Sequence, residues 1–214
     1  MGFKPPPYSY CDYRCDRCSE RDRCAVYRED QERLLQHYLK GEDPDDPEVF
    51  TRDLEEIFQR TEAMIREWAE KEGIDIDELD DEEYPKVNPN DFVIYRLARE
   101  YFQAAHRFIQ TLEREGIPAE VADDYEDLIW YHTLIYAKTG RLVSGTHDMM
   151  DEEWRRIEER GTLGVIQKGI RLSRSALEHM FNELPGHLES IAGLLKILNR
   201  IERQIETDLY QRAD

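Results

Sequence analysis

From Cys24 onward the large apolar residues recur three or four positions apart, and this spacing most limits what the chain can fold into. Side chains so spaced gather on one face of an α-helix, whereas a half-buried strand needs alternation at every second residue. No segment alternates over strand length. Valine, a strong strand former, occurs only seven times in 214 residues. The pattern predicts an all-α protein.

Capping residues divide the pattern into helices. Leu34, Leu35, Tyr38 and Leu39 end a first short helix before Gly41. Asp46 and Pro47 read as the N-cap and first position of a second, whose stripe runs from Phe50 through Leu54, Ile57, Phe58, Met64 and Ile65 to Trp68, with Gly73 as its stop. A third spans about Asn90 to Glu115, with Val93, Leu97, Tyr101, Ala105, Phe108 and Leu112 as its buried stripe. A fourth spans about Ala119 to Thr139, with His132 on its apolar face and Gly140 and Gly145 bracketing its end. A fifth begins at Asp151, is broken near Gly161 and Gly164, and resumes at Val165. After Leu184, Pro185 and Gly186 a last helix runs from Leu188 to Leu209. Short connections between long helices imply antiparallel neighbours, hence an up-and-down bundle. Trp68, Trp130 and Trp154 are expected to pack in the core or between helices.

Charge separates the chain into regions. The formal net charge is −19. Residues 1–28 are slightly basic, residues 154–214 nearly neutral, and the acidity lies between them, densest from Asp75 to Glu83. The organisation expected is a cysteine-rich head at 1–28, a helical segment at 29–73, an acidic linker at 74–90 and a helical bundle at 91–214. Such acidity opposes broad coating of nucleic acid or anionic membrane, since phosphates would repel it, while leaving room for a local contact. No stretch approaches the roughly 20 apolar residues that cross a bilayer, and the first ten residues carry no apolar run. The chain reads as a cytosolic protein whose partner is another protein.

All four cysteines, Cys11, Cys15, Cys18 and Cys24, fall in one run with the spacing C-x3-C-x2-C-x5-C. Cytosolic thiols stay reduced, so close cysteines there favour a metal over disulfides. Four thiolates suit either zinc or a 4Fe–4S cluster. With four thiolates, both carry about two negative charges, which Arg14, Arg17, Arg21 and Arg23 can offset. Zinc ribbons usually separate two C-x2-C pairs by a long loop, and here there is one such pair, without glycine knuckles. Close sequential cysteines can instead wrap the corners of the larger four-iron cluster. Cys15, Cys18 and Cys24 resemble the C-x2-C-x5-C part of the iron–sulfur staple in RecB-family nucleases, and this resemblance implies a 4Fe–4S cluster. In that family the remaining cysteine lies far upstream, whereas here Cys11 supplies it from four residues away. No nuclease core accompanies the resemblance, because the family's Glu-x-Lys strand has no counterpart here. Cys11, Cys15 and Cys18 are also similar to the C-x3-C-x2-C of radical-SAM enzymes, which sit in an α/β barrel.

The remaining candidates are smaller constellations. Arg99 and His106, seven apart on one helix face, resemble the Arg-x4–6-His signature of HEPN ribonucleases, which are helical bundles. On that resemblance they are candidate catalytic residues. His132 is a third candidate, as a buried base, or else a hydrogen-bonded core histidine. No histidine has Glu three residues before it, so a ferritin-like di-iron site is not expected. Lys168, Arg171 and Arg174, with Lys196, Arg200 and Arg203, form either a local basic face or ordinary ion pairs. Three functions follow. The first is a 4Fe–4S protein in redox sensing, electron relay or accessory support. The second is a zinc-stapled helical interaction module. The third is a HEPN-like ribonuclease or other bundle-pocket enzyme.

Overall fold

Helix boundaries follow the capping residues closely. The computed structural model describes residues 7–76, 87–145 and 152–211, and among these every regular element is helical. The α-helices are α1 (Ala25–Lys40), α2 (Pro47–Glu72), α3 (Val93–Glu115), α4 (Ala122–Gly145), α5 (Glu152–Glu183) and α6 (Leu188–Gln211). Gly41 and Gly73 close α1 and α2 in the left-handed conformation, at φ 73° and 70°, which costs a residue without Cβ nothing. The Asp46 side chain accepts a hydrogen bond from Glu48 N at 2.8 Å and so caps α2 at its N-terminus.

The chain divides into two units. One comprises residues 1–14 and 87–214, the other residues 15–86. In the first, α3 packs on α4, α4 on α5, α5 on α6, and α6 returns to α3, closing a four-helix bundle. Consecutive helices in contact across short turns run antiparallel. Tyr101, Leu112, Leu128, Ile135, Ile166, Leu177, Met180 and Leu198 are fully buried in its core.

Several expectations change in this bundle. Val93 is exposed, and Ile94 takes the buried place at the start of α3. Gly140 does not end the fourth helix but lies inside α4, close to Tyr95. Nor does α5 break at Gly161 or Gly164; it runs unbroken for 32 residues. The tertiary reason lies at Gly169, where an added Cβ would stand 2.9 Å from Ile135 Cγ1 and 3.3 Å from Tyr131 Cδ1. Glycine there lets α5 approach α4, and burial outweighs weak helix propensity.

In the second unit, α1 and α2 are joined near their turn by polar contacts. His37 is buried, with Nδ1 2.8 Å from Glu42 Oε2 and Nε2 2.9 Å from Asp53 Oδ2. Arg33 donates to Asp53 at 2.7 Å and to Asp30 at 2.8 Å, and Arg52 pairs with Glu42. Among the apolar residues described in this unit, only Cys24, Val49 and Ala69 are buried. The stripe of α2 exists as the periodicity predicts, but it is exposed: Phe58 by 68% and Trp68 by 57%. Trp68 and Trp154 are therefore surface residues, contrary to expectation. No helix among the described residues is long and apolar enough to cross a membrane. The acidic linker lies mostly outside the described residues.

Candidate metal centre

The cysteine run is built from tight turns. Tyr13 takes φ 61°, rare for a residue with a side chain, and its backbone N–H donates to Cys11 Sγ at 3.2 Å. A donor aimed at sulfur favours its negatively charged form, the form that ligates metal. Residues Cys15–Arg17 form a 3-10 turn, and Cys18 N donates to Cys15 O at 3.3 Å. A second turn, Arg21–Arg23, leads to Cys24, whose N–H donates to Arg21 O and whose carbonyl accepts from Arg28 N. Cys24 is thus the N-cap of α1. It is buried, while the other three are half-buried.

All four cysteines are free of disulfides. Cys11 belongs to the bundle unit and the other three to the second unit. Among the described residues, no three His, Cys, Asp or Glu side chains converge in a metal-binding arrangement. The donor set itself, four unbridged thiols within 14 residues, fits a thiophilic centre.

The residues beside Cys11 are fixed to the bundle. The buried carboxylate of Asp12 accepts a hydrogen bond from Tyr131 Oη at 2.7 Å and pairs with Lys168 Nζ at 2.6 Å. Trp130 Nε1 donates to the Asp12 carbonyl at 2.7 Å. Arg14, also buried, donates to Asp127 at 3.4 Å and lies over the Trp130 ring. Burial alone would raise the Asp12 pKa, but hydrogen bonds from Lys168 and Tyr131 and the Lys168 charge outweigh it and hold it below the usual carboxylate range. Burial, with the Asp12 carboxylate opposite, pushes the Tyr131 phenol up. Sequence reasoning missed this anchor, because its partners lie more than a hundred residues apart and no local spacing marks them.

The other candidates fall along α3 and α4. His132 is buried and faces α3; its ring stacks on Phe102 at 5.2 Å between centroids and lies 6.0 Å from that of the exposed His106. Its Nδ1 lies 2.7 Å from the carbonyl of Ile129 and 3.0 Å from that of Leu128, which makes Nδ1 the protonated nitrogen. Burial pushes its pKa down, despite those carbonyls. Tyr136 and Tyr95 extend the stack, with their hydroxyls 2.6 Å apart. Arg99 is exposed and donates to Asn90 Oδ1 at 2.7 Å. The fold thus brings His106 and His132 together, while Arg99 is engaged with Asn90. On the C-terminal helices, Lys168 pairs with Asp12, Arg174 with Glu202 and Arg200 with Glu100.

Known protein families, curated proteins and solved structures offer no match to this chain, so its site is read from its own residues.

Proposed function

We propose that Cys11, Cys15, Cys18 and Cys24 bind a 4Fe–4S cluster, and that the protein serves in redox sensing, electron relay or accessory support. The observation that carries this reading is the set of four cysteines outside any disulfide, whose first sulfur accepts a backbone N–H bond and is followed directly by the buried Asp12 anchor. When bound, such a cluster supplies one-electron exchange. The chain's own part is to hold the ligands: the Asp12 and Arg14 contacts fix the path of the backbone just after Cys11, and the two 3-10 turns set the path from Cys15 to Cys24.

A second reading, a zinc staple with a purely structural role, has one observation in its favour. The α1–α2 unit buries almost no apolar side chain, and units with so little core usually need a metal, a disulfide or a partner. Both readings predict that Cys15→Ser lowers metal content and thermal stability. Anaerobically purified protein separates them. A brown sample with broad absorbance near roughly 400 nm and equal iron and sulfide supports the cluster. A colourless sample with one zinc per chain supports the staple. Protein with neither metal, and with stability unchanged by Cys15→Ser, would overturn both.

A further inference from the structure

The long helix α2 leaves its apolar stripe uncovered. Leu54, Ile57, Phe58, Met64, Ile65 and Trp68 are each between 36% and 68% exposed. Together they present on the order of 700 Å² of mostly apolar surface, close to the roughly 800 Å² that one partner contributes to a stable interface. Single exposed apolar residues are ordinary, but a contiguous stripe of this size marks an interaction surface.

From Leu54 to Trp68 the pattern is symmetric about Thr61, with the exposed Phe50 one further turn out. Ile57 and Phe58 precede it by four and three residues, Met64 and Ile65 follow by three and four, and Leu54 and Trp68 lie seven to either side. A two-fold contact uses the same patch on both copies, so its pattern must match its own reversal. In an antiparallel pair crossing at Thr61, Leu54 stands level with Trp68 of the second copy, and Ile57 and Phe58 with its Met64 and Ile65. The small Thr61 suits the crossing. Its hydroxyl donates to Ile57 O at 2.8 Å, so its polar atom is satisfied within the helix and needs nothing from a partner. Neighbouring charges are likewise paired along α2, Arg66 with Glu62 and Lys71 with Glu67, which limits repulsion between copies.

We infer that the α2 face is the interface between two copies of this chain, related by a two-fold axis near Thr61. Sedimentation of the full chain over roughly 1–100 μM tests this across the range where such an interface forms. The wild type should sediment as a dimer of 25.5 kDa chains. Thr61→Arg places two cations at the crossing without loss of helix propensity and should weaken dimerisation at least about a hundredfold. Ile57→Glu with Ile65→Glu should do the same. Gln59→Glu, on the opposite face, should leave the dimer intact. Far-UV circular dichroism should be equal in all four proteins. A wild type that stays monomeric throughout would overturn the inference, whether the bundle or another protein then covers the stripe. So would a dimer that survives Thr61→Arg, or one that Gln59→Glu dissolves equally.

Discussion

Asp12 is only 6% exposed yet remains an ionised carboxylate, because a phenol and an ammonium replace the water it has lost. Removing one partner leaves a buried charge short of a donor, which costs more than the hydrogen bond itself contributes. Tyr131→Phe, which removes a single hydroxyl from the Asp12 site, is therefore expected to destabilise the bundle by about 1–3 kcal/mol in thermal or urea unfolding. The acid dependence has a definite sign. A carboxylate held below its ordinary value contributes stability that is present above the unfolded pKa near 4 and is lost as pH falls through the folded value. Tyr131→Phe should therefore flatten the acid limb of the stability profile, and an unchanged limb would show that Asp12 does not set it. Position 12 carried no sign of this role in the sequence, where it reads as one more acid in a mixed-charge run. The cysteines beside it could be singled out as candidates because candidacy rests on spacing along the chain.

At the scale of elements, the end of α1 and both ends of α2 were legible to within a residue, because Gly41, Asp46, Pro47 and Gly73 act locally on the backbone. The unbroken α5 was not, because Gly161 and Gly164 read locally as breakers, while burial of Thr162, Val165 and Ile166 carries the helix through them. Its glycines can be told apart by experiment. Gly164 has nothing within 4 Å of the place where a Cβ would stand, so Gly164→Ala should stabilise the protein by about 0.5–1 kcal/mol through helix propensity. At Gly169 the same propensity gain is opposed by overpacking of about 1–3 kcal/mol against Ile135 and Tyr131. Gly169→Ala is expected to lower the melting temperature, and a rise at both positions would mean α4 and α5 are not closely packed there. Periodicity also predicted that α2 is amphipathic. It held no information on what its apolar face meets, because amphipathicity describes one helix and burial describes two surfaces.

At the scale of the whole molecule, the two units rest on different physics and should respond differently to pH. The bundle is held by apolar burial, whereas the joint between α1 and α2 is polar and centred on His37 between Glu42 and Asp53. Hydrogen bonds to Glu42 and then Asp53 raise the His37 pKa, and His37 in turn helps to hold both carboxylates below their usual range. A histidine with a raised pKa contributes stability that is fully present below its unfolded value near 6.5 and is lost as pH rises through the folded value. Amide exchange between residues 33 and 53, corrected for intrinsic rates, should therefore quicken as pH rises past neutrality, while α3–α6 hold their protection. Uniform loosening of both units would contradict this division. The Asp12 anchor, finally, has a consequence in time. Tyr131, its hydrogen-bond partner, lies 119 residues further along the chain. At roughly 5–20 residues per second, a ribosome needs on the order of 6–24 s to reach it. Through that interval Asp12 is without the phenol that pairs with it, so the backbone beside Cys11 gains its fixed path only once α4 has been made.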